Sequence, residues 1–287
     1  AALGLAVSAA TTLAMSVGTV PTIRALFDRA APILAAPTED AKPGRPLEIQ
    51  GAISFRNLHF TYPGQSVNVL DGFSLDIAPG SFTAIVGPSG CGKSTVLRCL
   101  MGFEHPQSGT VLLDDHDLGE LDLAHVRRQF GVVLQQFQVM GGTVFENIVG
   151  PRPLTEDDAW AAAEKVGLAD FIHRLPMGMR TLIVDGAGTF SGGQAQRLML
   201  ARAVASEPTI IVLDEATSAL DNPTQEIVAR SLAELSSTRV VIAHRLSTIR
   251  LADQIAVMDR GRVAELGRHD ELMAAGGRYA ELVRRQL

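Results

Sequence analysis

Gly87-Pro88-Ser89-Gly90-Cys91-Gly92-Lys93-Ser94-Thr95 is the stretch whose spacing decides the fold. It follows the pattern G-x-x-x-x-G-K-[ST] of a phosphate-cradling loop. An apolar run, Phe82 to Val86, leads into it, and a helical pattern, Val96 to Met101, leads away. The glycines let backbone N–H groups converge on phosphate oxygens. The helix that starts there adds the positive end of its dipole. Lys93 supplies a point charge to β- and γ-phosphates, and Ser94 supplies a hydroxyl to Mg2+. A glycine-rich turn matching by chance is the bland alternative, and the strand before and helix after speak against it.

Outward from the loop, short β-branched runs recur between helical patterns: Gly131 to Leu134, Ile210 to Leu213, Arg239 to Ala243 and Ile255 to Met258. Strands alternating with helices predict an α/β fold with a largely parallel sheet. Ahead of the loop, Ile53 and Phe55 alternate, as do Phe73, Leu75 and Ile77, which predicts half-buried antiparallel strands. Ile210-Ile211-Val212-Leu213 runs directly into Asp214-Glu215. Acids there stand at the sheet's C-terminal edge, where ligands of open α/β sheets bind. Asp214 would hold Mg2+, through water, and Glu215 would act as general base on an attacking water. As helix-start residues alone they would merely cap the next helix.

The 287 residues are 46% hydrophobic and 20% charged, enough for one large domain with an appendage. A net charge of -6 carries no nucleic-acid footprint. Cys91 and Cys99 lie about 12 Å apart along a helix, too far for a disulfide, so a reduced, cytosol-facing domain is expected. Opening on Ala1, the chain is expected to be a piece or a processed form of a longer one. Ala1 to Ile23 has no charged side chain and is long enough to span a bilayer. Arg24, Arg29, Lys42 and Arg45 follow, a positive flank that puts the C-terminal side in the cytoplasm. Residues 1–30 are therefore expected to end a transmembrane domain, 31–49 to form a Pro- and Ala-rich linker, and 50–287 to form the α/β domain.

A second anion-binding helix start is written in Phe190-Ser191-Gly192-Gly193-Gln194, ahead of the helical run Gln196 to Val204. The segment resembles the signature sequence of ABC transporter ATPases, with Phe190 in place of the usual Leu. The resemblance covers about residues 50–287, and further elements follow in the family's order. Tyr62 resembles the aromatic that stacks on adenine. Gln135 resembles the glutamine that contacts Mg2+ and the attacking water. Asp221, in Ser218-Ala219-Leu220-Asp221, resembles the loop that crosses to a partner subunit. His244 resembles the switch histidine at the γ-phosphate, and Asp185 stands where exporters carry Glu.

The resemblance implies an ABC cassette on a phosphate-loop NTPase core, with an antiparallel β subdomain and a helical subdomain over roughly residues 137–206. It implies two cassettes paired head to tail, as homodimer or heterodimer. ATP would be bound by Tyr62, Gly87 to Thr95, Gln135, Asp221 and His244, and by the partner's counterpart of Ser191 to Gln194. Mg2+ would sit on Ser94, Gln135 and Asp214, and Lys93, Glu215 and His244 would carry catalysis. A plasma (inner) membrane exporter with its ATPase domain in the cytoplasm is implied. Phe145 to Gly150, Pro176 to Met179, Asp185 to Gly188 and the N-terminal segment resemble exporters of bacteriocin-like peptides with nitrile-hydratase-type leaders. Two other classes compete: a soluble ABC ATPase acting on ribosomes or nucleic acid, and an importer ATPase on a separate subunit. The acidic charge argues against the first and the apolar N-terminal segment against the second.

Overall fold

The computed structural model describes residues 2–35, 44–135, 138–184, 190–216, 220–233, 235–243 and 245–286. The chain divides into two compact units, residues 1–42 and 43–287. The first contains one helix, α1 (Ala2–Leu34), with Pro21 and Pro32 inside it. Among the described residues no helix is long and apolar enough to cross a membrane. The sequence reading expected the end of a transmembrane domain over residues 1–30. Small and hydroxylated side chains fill much of that stretch, with Thr11 and Thr12 hydroxyls bonded back to the carbonyls of Val7 and Ser8, and Pro21 removes a backbone donor.

Among its described residues, the second unit is built on three sheets. The largest runs in the order β12 (Arg262–Gly267), β11 (Gln254–Asp259), β3 (Phe82–Val86), β10 (Thr238–Ile242), β9 (Ile210–Asp214), β6 (Phe130–Val133). All neighbours are parallel except β12, which closes one edge antiparallel to β11. Every residue of β3, β9 and β10 is buried. Near-continuous apolar strands, here broken by Thr83, Asp214, Thr238 and Arg239, are what a parallel sheet covered on both faces requires. The four-stranded sheet β2-β1-β4-β5 is antiparallel, formed by β1 (Ile53–Phe60), β2 (Leu70–Ile77), β4 (Ser108–Leu113) and β5 (His116–Asp117). Ile53 pairs with Ile77 and Phe55 with Leu75, so the alternating apolar residues share one face. Phe55 and Phe73 meet edge to face at 5.4 Å on that face.

Helices α2 (Lys93–Leu100) and α3 (Leu123–Arg128) lie between these sheets in sequence. A helical layer follows: α4 (Val144–Val149), α5 (Glu156–Lys165), α6 (Ala169–His173) and α7 (Gly192–Val204), with the short pair β7 (Gly142–Thr143) and β8 (Leu182–Ile183). Thr143 with Glu146 and Thr155 with Asp158 form capping boxes that set the starts of α4 and α5. The C-terminal part adds α8 (Asn222–Ala233), α9 (Leu246–Ile249), α10 (His269–Ala275) and α11 (Arg278–Gln286).

Residues 44–49, read from sequence as the end of a linker, are tied to this unit. Arg45 bridges to Leu121. The Gln129 amide accepts from the Ile49 N–H at 2.9 Å and donates to the Leu47 carbonyl at 2.7 Å.

Candidate functional site

β3 ends at Val86, and the chain turns at once into the phosphate loop. Gly87 has φ +151°. A Cβ there would lie 2.4 Å from the Met258 carbonyl oxygen and 3.0 Å from Cys91 Sγ, so no side chain fits. Gly92 caps α2 in the left-handed region, at φ 103°. Pro88, Ser89 and Gly90 form the exposed crown of the loop. Lys93 is only 7% exposed and points back over the loop. Its ammonium donates to the carbonyls of Gly87 at 2.9 Å and Pro88 at 3.0 Å. An ammonium has three protons, so this geometry holds the charge in the loop while a donor remains for a ligand oxygen. Cys91 faces inward: its N–H donates to Pro88 and its carbonyl accepts from Gly261. Burial pushes its thiol above the ordinary range, against an opposing pull from Lys93. Ser94 and Thr95 stand in the first turn of α2. The Thr95 hydroxyl lies 3.2 Å from the Tyr62 hydroxyl, which brings the aromatic to the helix that the loop opens.

The C-terminal ends of β6 and β9 lie side by side, with Val133 opposite Leu213. That pairing carries Gln135 to the end of β9, where its amide donates to Glu215 Oε2 at 3.3 Å. Asp214, 5% exposed, is paired with Ile242 of β10. Glu215 has φ +52°. A non-glycine residue rarely adopts that conformation, and such strain gathers at functional sites. It is held there by its N–H, which donates to the Ile242 carbonyl at 3.2 Å, and by its carbonyl, which accepts from Gln196 Nε2 at 3.3 Å. A carboxylate and an amide thus converge on one edge of the sheet, the edge that also carries the loop after β3.

Ser191 caps α7 through a capping box: its hydroxyl accepts from the Gln194 N–H, and its own N–H donates to Gln194 Oε1 at 2.9 Å. The helix begins at Gly192, four residues before the helical run read from sequence, because the two glycines form its first turn. Ser191 and Gly192 are exposed. Phe190 packs edge to face against Phe171 at 5.2 Å, an apolar role consistent with the usual Leu. Asp221 is exposed, and a hydrogen bond from Thr224 holds its carboxyl below the usual range. His244, Asp185 to Gly188, and Ser218 with Ala219 lie outside the described residues. Two partners escaped the sequence reading. Gln196 looked like an ordinary helix residue, and Arg98, which donates to the Tyr62 hydroxyl at 3.1 Å, carried no motif.

Comparison with known proteins bears on the same residues. The family described as ABC transporter is matched over residues 70–218. The chain is 44% identical over 244 residues to the mitochondrial potassium channel ATP-binding subunit of Rattus norvegicus, covering 83% of this chain and 34% of that protein. It is 43% identical over 255 residues to the ATP-dependent lipid A-core flippase of Xylella fastidiosa (strain 9a5c), covering 87% and 43% respectively. The structure of a bacterial Atm1-family ABC exporter with ATP bound superposes with a TM-score of 0.85 at 36% identity, over 92% of this chain and 47% of that one. The chain therefore spans less than half the length of these relatives.

Proposed function

Because the chain belongs to the ABC transporter family, we propose that its cassette hydrolyses ATP to ADP and phosphate and drives export by a membrane domain. The observation that carries this reading is the meeting of Gln135 and Glu215 at the sheet edge that also bears the Lys93 loop. Lys93 and the loop N–H groups bind and orient the triphosphate. The Gln135 amide positions an attacking water, and Glu215 takes its proton as the water adds to the γ-phosphorus and the bond to the β–γ bridging oxygen breaks, with ADP as the leaving group. His244 would steady the γ-phosphate. Ser94, Asp214 and Gln135 would offer oxygen donors, the chemistry that suits Mg2+. That ion would neutralise charge on the transferred group.

In the same reading, two cassettes face each other head to tail, and the Ser191 helix start of one closes over ATP held by the other. Residues 1–30 would connect the cassette to the membrane domain. The site would then face the cytoplasm at the plasma (inner) membrane. A bacteriocin-like peptide is the proposed cargo, supported by the resemblance at residues 145–150, 176–179 and 185–188 and in the N-terminal segment. Release of ADP from ATP by the wild type and by two variants tests the chemistry. Lys93→Ala should lose binding and turnover together. Glu215→Gln should bind ATP and lose turnover by about 100-fold or more, the scale of general-base catalysis. Native turnover in Glu215→Gln would remove the base from the mechanism.

A further inference from the structure

Tyr62 is held from two sides. Its ring meets Phe60 edge to face at 4.8 Å and 89°. Its hydroxyl reaches two residues of α2, one turn apart: Arg98 Nη1 donates to it at 3.1 Å, and Thr95 Oγ1 lies 3.2 Å away. A guanidinium only donates, so the phenol oxygen is an acceptor toward Arg98. The hydroxyl–hydroxyl bond to Thr95, in which either oxygen can donate, completes the chain from the cation to the helix. Thr95 is buried and Arg98 is exposed, so the chain of contacts runs from solvent to the base of the phosphate loop. The aromatic platform and the loop helix are thereby clamped together before any ligand arrives, and a pre-ordered surface loses less entropy on binding.

Resting on the ATP reading above, we infer that Arg98 is a positioning residue for the purine: it fixes the Tyr62 ring through the phenol hydroxyl. Its effect belongs to the base end of the nucleotide and passes through Tyr62. Arg98→Ala removes one of the two bonds to the hydroxyl and should raise KM for ATP about fivefold, and Tyr62→Phe, which removes both, should raise it at least as much, with kcat held. Because the Arg98 bond ends on the hydroxyl that Tyr62→Phe removes, the double variant should be no worse than Tyr62→Phe alone. Arg98→Lys, which keeps a cationic donor, should recover most of the loss.

The experiment is steady-state ATP hydrolysis by the chain and these variants, with inorganic triphosphate as a competitor and Lys93→Ala as control. Inhibition by triphosphate, which has no base, should be the same in Arg98→Ala as in the wild type. An unchanged KM in Arg98→Ala, a multiplicative loss in the double variant, or triphosphate weakened as much as ATP would each overturn the inference. If Lys93→Ala bound and hydrolysed ATP normally, the nucleotide reading itself would fail, a result separate from any outcome at Arg98.

Discussion

Cys91 stands in the middle of the phosphate loop, yet its thiol is turned into the protein beside Gly87. Burial lifts its pKa above the ordinary thiol range, and deeper burial pushes that of Cys99 up to about 12. Alkylation proceeds through the thiolate, so both residues should react slowly with a maleimide near neutral pH. In the folded chain the rate should rise about tenfold per pH unit while the thiols remain mostly protonated, with Cys91 reacting before Cys99. Mass spectrometry of time-resolved labelling reads this directly. Labelling of Cys91 at the rate of an exposed thiol would contradict its inward orientation. The same pKa shifts have a sign for stability. The unfolded chain loses its thiol protons first, so the fold gains nothing from them at low pH. It is weakened as pH rises from the ordinary thiol pKa toward about 12.

At the scale of elements, Gln129 holds the approach to the cassette by contacts that no sequence pattern announces. It accepts from Ile49 and donates to Leu47 through its side chain, while its own carbonyl accepts from Thr209 at 3.0 Å. Gln129→Ala should leave the part-buried Leu47 carbonyl and Ile49 N–H without their partner and destabilise the fold by about 1–3 kcal/mol. Gln129→Glu keeps the acceptor but loses the donor to Leu47, and should fall between. A urea midpoint for Gln129→Ala equal to that of the wild type would show that these bonds are replaced by water.

The same contacts mark where sequence reading stopped. β3, β9 and β10 are legible because each carries a short β-branched or apolar run between helical patterns, while their order in the sheet is set by tertiary pairing. The phosphate loop, Glu215 and Ser191 were legible because chemistry fixes their local spacing. Gln135 beside Glu215 was legible only through resemblance, since 80 residues separate them and their meeting depends on β6 lying next to β9. Gln129, Gln196 and Arg98 were not legible, because each acts through a polar contact made by tertiary folding alone. For the N-terminal segment, freedom from charge suggests a membrane span, whereas among the described residues no helix is long and apolar enough to cross one.

For the whole molecule, the exposed position of Ser191 at the start of α7 poses the question of which nucleotide it serves. If it closes over the partner's ATP, a site consists of Lys93 from one subunit and Ser191 from the other. Consider mixed dimers in which one subunit carries Lys93→Ala and the other Ser191→Ala. In the trans arrangement both defects fall on one composite site, and the second site keeps an intact Lys93 and an intact Ser191. It should still trap nucleotide, at about half the wild-type amount per dimer. In a cis arrangement each subunit carries one defect and no intact site remains. A control with both changes in the same subunit, paired with a wild-type subunit, reverses the expectation: the trans arrangement then damages both sites, while the cis arrangement spares one. Trapping retained in the first pairing and lost in the control supports the head-to-tail dimer. Trapping lost in the first pairing and retained in the control, with assembly unchanged, would place Ser191 over the ATP of its own subunit.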